Sequence, residues 1–269
     1  MNYLDLYKLL NKSNCKECGL LSCMAFAHAV ITGEKKVGEC PHLDPAAAEK
    51  FGEKLISRDK AKEYNLSAEP FKKEVAKVDF SAVAEGLGVP LVDGKLIVKA
   101  LGKDFIVSPD GDMESAIHIH TWVAMPIYSY IITGGHKALT GTWVSFEELR
   151  RGSSMSNFFH KRCLEPLRQM AESHTDIFFD MLDVFAAQTI EGFQADYVRV
   201  LYPLPKVPFL ILYWRPEEQF ESKLKILFDS TADHFLDIDA IYLLGRGMVE
   251  MFKNIISRHE EMLPRLMAM

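Results

Sequence analysis

The placement of four cysteines constrains this chain more than any other feature. Cys15, Cys18, Cys23 and Cys40 follow the spacing C-x2-C-x4-C-x16-C, and a fifth, Cys163, stands alone far downstream. An odd total with four crowded near one end does not suit a disulfide framework, and a tight group of thiols reads as a metal-binding set. Three of the four lie on one compact loop, and Cys40 closes the set from a later segment, followed by Pro41. A cubane needs four thiolates at tetrahedral corners, and a Cys-Pro fourth ligand also occurs in bacterial ferredoxin runs. The expectation is one [4Fe–4S] cluster in a small N-terminal domain. Structural zinc is the alternative, although zinc ribbons pair two short knuckles that give two ligands each. A [2Fe–2S] centre fits less well, because the plant-type order is C-x4-C-x2-C, the reverse of this one. Cys23 is expected to open a helix, where the dipole and free N–H groups favour an anionic sulfur.

The rest of the composition narrows the partners. The 269 residues are 48% hydrophobic and 25% charged, with a formal net charge of −6 and a sequence pI of about 5.9. That surface repels phosphate backbones, so nucleic acid is not an expected partner. The greasiest stretch, Ile117 to Ile132, is broken by His118, His120, Pro126 and Ser129. It falls short of the roughly 18 apolar residues that a membrane span needs. No secretory signal is visible near Met1, and the chain reads as cytoplasmic, with no membrane partner.

Three segments follow from composition: residues 1–60 as the cluster-binding domain, 61–76 as a charged linker that can be partly helical, and 77–269 as a mixed α+β domain. The overall class is α+β, a small helical domain followed by a larger mixed one. In the first segment, Leu4, Leu6, Leu9 and Leu10 make a short helical stripe. Ser22 can cap a helix over Cys23–Thr32 that ends at Gly33, and Asp44-Pro45 starts another, Ala46–Ser57. From about Arg58 the chain is charged and poor in large apolar residues.

In the large domain, Lys95–Leu101 and Phe105–Ser108 form a hairpin around Gly102-Lys103-Asp104, with a turn at Pro109-Asp110-Gly111. Trp122–Ile132 is a buried helix or strand. Ser156–Ser173 and Thr175–Thr189 read as helices, the second with Asp176, Asp180 and Asp183 on its polar side. Tyr197–Tyr202, Phe209–Trp214 and Lys223–Phe228 read as strands, the last burying Leu224, Ile226 and Phe228. Asp237 caps a final helix to about Met262.

Other residues carry weaker chemical signals. His118 and His120 would share a face of a strand, with His136 further on, and could hold a metal or cap a corrin cobalt; ordinary surface or core histidines are the plainer reading. His28 and His42 flank cluster cysteines but read as exposed. Lys161 and Arg162 could lower the pKa of Cys163, yet its apolar helical neighbours Phe158, Phe159 and Leu167 suit a buried thiol. Trp122, Trp143, Phe146, Phe158 and Phe159 could line a pocket for a flat cofactor, against the plainer reading of packed core. No glycine-rich nucleotide loop is present, and Gly245-Arg246-Gly247 marks close helix packing or a kink.

The segment Leu6–Gly19 (LYKLLNKSNCKECG), then Ser22–Ala27 (SCMAFA), then Cys40-Pro41, resembles the Fe–S module at the N-terminus of the corrinoid iron–sulfur protein large subunit. A similar module occurs in the B subunit of Rnf-type electron-transport complexes. The resemblance covers about residues 3 to 46 and implies a low-potential [4Fe–4S] cluster on Cys15, Cys18, Cys23 and Cys40. One departure is Lys16, where that family usually has glycine. Downstream, Gly141–Leu149 (GTWVSFEEL) and Lys225–Asp229 (KILFD) resemble uncharacterised proteins of anaerobic prokaryotes that join this module to a domain of unknown function.

The function this implies is electron transfer. A donor such as a ferredoxin would load the cluster, and a corrinoid protein, or a corrinoid bound in or near the C-terminal domain, would receive the electron. The alternatives are an Fe–S enzyme or cofactor-binding protein with its active site in the large domain, and an interaction module with a structural cluster.

Overall fold

The structure, a computed structural model, describes residues 3–31, 35–218 and 220–267, with the backbone alone described over 53–67 and 259–267. Gly33, the expected helix stop, lies outside the described residues. The chain divides into two compact units, Met1–Ser67 and Ala68–Met269.

The first unit is built on α1 (Tyr3–Leu9), α2 (Cys23–Ile31) and the start of α3 (Pro45–Val75). Leu6, Leu10, Phe26, Ala27, Val30, Leu43 and Phe51 form its apolar nucleus. The start signals act as read. The Ser22 hydroxyl accepts from the Ala25 N–H at 3.1 Å, and the Asp44 carboxylate accepts from the Ala47 N–H at 2.9 Å. Each serves a donor that the first helical turn leaves without an intrahelical acceptor. The difference is at the other end. Helix α3 does not stop at Ser57 but runs on to Val75, because the lysines, glutamates and alanines that make this stretch polar are also good helix formers.

In the second unit, α4 (Phe80–Leu87) leads into a four-stranded antiparallel sheet. Its strands are β1 (Leu91–Val92), β2 (Lys95–Ala100), β3 (Lys103–Val107) and β4 (Met113–Ser115), in that spatial order. The expected hairpin is present, but its turn is Leu101-Gly102, so β3 begins two residues before Phe105. Leu101 and Gly102 have φ of +49° and +72°, and Asp93-Gly94 repeats the pattern at +50° and +76°. Two consecutive left-handed residues are the two-residue connection that matches strand twist.

Helix α5 (Thr121–Thr133) decides the ambiguous segment. Every residue from Val123 to Ile131 is buried, so no polar face existed to reveal a period. Then follow β5 (Trp143–Val144), α6 (Gly152–Phe159), a π-helical turn His160–Leu164, α7 (Glu165–Ser173) and α8 (Thr175–Val184). Strands β6 (Tyr197–Leu204), β7 (Val207–Trp214) and β8 (Lys223–Asp229) precede α9 (Ile238–Met267). The second antiparallel sheet has the order β5-β8-β7-β6. Central β7 is buried from Val207 to Tyr213, while β8 alternates and buries Leu224, Ile226 and Phe228 as expected. The chain is therefore α+β.

Two helix boundaries moved for local reasons. The expected Ser156–Ser173 helix starts at Gly152 and carries the π turn, just before Pro166. That proline lacks the N–H that would serve the Arg162 carbonyl. The ladder widens so that Glu165 donates to His160, and Arg246 Nη1 stands 3.5 Å from the Arg162 carbonyl. Helix α8 ends at Val184 rather than Thr189, because Ala186 turns left-handed at φ +60°. The Ala187 N–H then reaches the Leu182 carbonyl and the Ala186 N–H the Asp183 carbonyl, a Schellman closure without the usual glycine. Gly245 and Gly247 mark close packing. A Cβ at Gly247 would lie 2.0 Å from Trp122 Cδ2, and one at Gly245 would lie 3.2 Å from Cys163 Sγ.

Candidate metal centre

The cysteine loop is shaped by repeated reversals of backbone hand. Lys12, Asn14, Lys16 and Gly19 all have positive φ, at +61°, +50°, +68° and +79°. Left-handed residues within a loop gather N–H groups into concavities that hold anions, Fe–S centres among them. Asn14 tolerates the conformation and fastens the loop, its Oδ1 accepting from the Cys23 N–H at 2.9 Å. That bond ties the first half of the loop to the N-terminus of α2.

Lys16 has φ +68°, which gives a physical reason for the glycine usual at this position in the resembling family. Lysine bears a Cβ penalty in this region that glycine does not. Lys16→Gly should stabilise the first unit by about 0.5–1 kcal/mol after its greater unfolded-chain entropy is subtracted. Urea unfolding at equal iron loading measures this, and a destabilisation would show that the Lys16 side chain contributes something the strain argument omits.

Cys23 and Cys40 are buried, Cys18 is half-buried and Cys15 is exposed. The first three pack into the same nucleus as Leu6, Phe26 and Leu43. Four soft thiolate donors, three of them shielded by apolar side chains, suit an iron–sulfur cluster. Among the described residues, no three of these sulfurs lie within 4.8 Å of one another. Lys35 is close enough to Cys18 to interact with it electrostatically. The hydrogen bond to Glu39, at 2.8 Å, holds its ammonium above the ordinary lysine range, with a smaller contribution from Cys18.

At the exposed corner, Cys15, Glu17 and His42 bring three ligand atoms within 4.8 Å of one another. His42 Nε2 and Glu17 Oε1 are 3.1 Å apart, joined across 25 residues of sequence. In sequence His42 stands out only as an exposed neighbour of Cys40, and Glu17 carries no signal. Only the fold shows that they meet. His28 is exposed, with its ring 6.0 Å from that of Tyr3.

The other candidates resolve into structural roles. Cys163 is fully buried, and burial pushes its thiol up to about 12, against a smaller opposing effect of Arg246. It is an inert packing thiol. His118 and His120 lie not on a strand but in the loop between β4 and α5, with ring centroids 4.5 Å apart, and no third donor joins them among the described residues. His136 packs instead against Gly86, where a Cβ would lie 2.2 Å from its Nδ1.

The five aromatic residues do not surround one cavity. Phe146 and Phe159 stack at 4.2 Å beside Phe228, Trp122 covers Gly247, and Trp143 packs against the Val198, Val200, Leu210 and Leu212 face of the second sheet. Two clefts open on the large unit. One of about 390 Å³ lies between Phe146, Phe159, His160 and Lys225, and one of about 350 Å³ lies among Glu85, His136, Lys137 and Lys206. Both sit at the low end for small-ligand pockets.

The sequence runs around Gly141 and Lys225–Asp229 meet at one buried carboxylate. Trp143 pairs with Asp229 across β5 and β8. Asp229, 1% exposed, accepts from the Gly141 N–H at 2.7 Å, the Thr140 N–H at 3.3 Å and hydroxyl at 3.2 Å, and the Thr231 N–H at 3.0 Å and hydroxyl at 2.6 Å. Burial raises its pKa, but the hydrogen bonds from Thr231, Gly141 and Thr140 together outweigh that and hold the carboxyl below the usual aspartate range.

The family described as "Domain of unknown function (DUF3786)" matches residues 79–251. The chain belongs to that family. The family described as "Putative Fe-S cluster" matches residues 10–42, which contain all four clustered cysteines. The N-terminal module is also similar to the gamma subunit of the acetyl-CoA decarbonylase/synthase complex of Methanocaldococcus jannaschii, 47% identical over 53 residues, or 20% of this chain and 11% of the relative. The Methanopyrus kandleri gamma subunit is 42% identical over 55 residues, 20% of this chain and 12% of the relative. The corrinoid/iron-sulfur protein large subunit of Moorella thermoacetica is 44% identical over 46 residues, 17% of this chain and 10% of the relative. The chain thus spans about a tenth of the length of the curated relatives it matches. No solved structure matches it. Among the described residues, no helix is long and apolar enough to cross a membrane.

Proposed function

We propose that this chain is an iron–sulfur electron-transfer protein whose [4Fe–4S] cluster is held by Cys15, Cys18, Cys23 and Cys40. The donor set carries the reading: three thiols embedded in one apolar nucleus and a fourth at its exposed edge, all within the segment that matches the iron–sulfur family. A bound cluster would supply one-electron chemistry. The chain's own residues shield it on the Cys23 and Cys40 side, and Cys15 leaves one corner open to a partner.

The similarity to acetyl-CoA decarbonylase/synthase gamma subunits and to a corrinoid/iron-sulfur protein supports a role in corrinoid-related metabolism; the proposed setting is methyl transfer in the cytoplasm. A ferredoxin-like protein is the proposed donor and a corrinoid protein the proposed acceptor. The corrin is assigned to the partner, in keeping with the corrinoid/iron-sulfur protein to which the module is similar.

Anaerobically purified protein should absorb broadly near about 400 nm and contain about four iron and four sulfide per chain. With a corrinoid protein and a strong reductant, it should accelerate the loss of the oxidised cobalt spectrum. Stoichiometric zinc without sulfide would remove the cluster. A loaded cluster with no reversible reduction would make it structural, and a reducible cluster that speeds no cobalt reduction would rule out the corrinoid acceptor.

A further inference from the structure

We propose that Cys15, Glu17 and His42 form a mixed-donor metal corner, in which the His42 imidazole can hold the iron that the Cys15 thiolate otherwise holds. The inference rests on the cluster reading above and adds a ligand to it. Thiolate, carboxylate and imidazole atoms converge within 4.8 Å on an exposed edge, while the other three cysteines are partly or wholly sunk in the nucleus beneath. Imidazole is a good donor to iron. Glu17 Oε1, 3.1 Å from His42 Nε2, holds the ring beside Cys15 before metal arrives and yields that nitrogen to the iron.

The four corners are therefore unequal. Cys23 and Cys40 are buried among Leu6, Phe26 and Leu43, and no imidazole is placed beside them in a three-donor group among the described residues. At the Cys15 corner a second donor is already in place. Exchanging a thiolate for a neutral imidazole removes one negative charge from the first coordination shell. The reduction potential of the cluster then moves upward, in the same sense as histidine ligation does in Rieske centres.

The test uses the full chain, reconstituted anaerobically with ferrous iron and sulfide, with circular dichroism confirming folding. Native protein loading about four iron per chain establishes the cluster reading separately, and loading zinc alone would end both readings. Cys15→Ala should keep the native iron content and show a raised reduction midpoint. Cys15→Ala/His42→Ala should lose about one iron in four, or the whole cluster. His42→Ala with Cys15 intact should load as native. Cys15→Ala/Glu17→Gln should retain its iron, because Glu17 only positions the ring. Should Cys15→Ala lose as much iron as Cys15→Ala/His42→Ala, the corner has no second donor and the proposal fails. Should Cys15→Ala/Glu17→Gln lose the iron while Cys15→Ala/His42→Ala keeps it, the carboxylate is the donor and the His42 assignment is overturned.

Discussion

Asp229→Ala should destabilise the large unit by about 3–5 kcal/mol, from the loss of several hydrogen bonds to a buried charged acceptor. The alanine would leave the Gly141 and Thr231 N–H groups without their acceptor in a site that water barely reaches. The same carboxylate joins the segment before β5 to the end of β8, so the edge of the second sheet should loosen first. Asp229→Asn keeps the shape but turns one acceptor oxygen into a donor facing N–H groups, and should cost about half as much.

The pH dependence of Asp229 has a definite sign. Its folded pKa lies below the unfolded value, so its stabilisation is complete above the unfolded aspartate value of about 3.9 and is lost as pH falls through the folded one. Urea titrations of wild type and Asp229→Asn should therefore differ by a constant amount near neutrality and converge below about pH 4. A difference that persisted unchanged into strong acid would mean that the ionised carboxylate is not what stabilises the joint.

Legibility in the sequence followed the range of the interactions. Ser22, Asp44 and Asp237 each satisfy an N–H three residues away, so helix starts could be read from composition. Alternation in Leu224, Ile226 and Phe228 exposed β8 because one side of that strand meets solvent. Helix α5 had no such contrast, being buried all round. Helix ends were harder. Ala186 closes α8 and Pro166 forces the π turn, and neither carries the glycine signal that marks a stop. The Glu17–His42 contact and the Asp229 joint are long-range. Their partners are 25 and about 90 residues apart, and no local pattern announces such a meeting. The cysteine set was legible because all four donors are chemically scarce residues with a recognisable spacing.

The largest effect expected anywhere in the chain is at Cys23. Cys23→Ala should abolish cluster assembly, whereas Cys163→Ala should leave iron and sulfide unchanged. Both thiols are buried, so burial alone does not separate them. Among the described residues Cys163 joins no group of metal-binding side chains, and burial pushes its pKa up to about 12, which keeps the thiol protonated and a poor ligand. Cys23 opens α2, and its own N–H is held by Asn14. The alanine preserves that backbone bond and leaves a cavity of only one sulfur, a packing loss of about 1 kcal/mol. The greater loss comes through the metal. The first unit spans 67 residues, a size at which one apolar core rarely supplies more than about 3–5 kcal/mol. Ligation that exists only in the folded state adds directly to folding stability, on the order of several kcal/mol or more. Cys23→Ala should thus lower the unfolding midpoint of the first unit to that of cluster-free wild type, while the large unit's transition stays in place. The comparison with cluster-free wild type decides the cause. If the two unfold together, the metal accounts for the loss. If Cys23→Ala unfolds well below cluster-free wild type, Cys23 holds the nucleus by packing and its role as a ligand must be argued on other grounds.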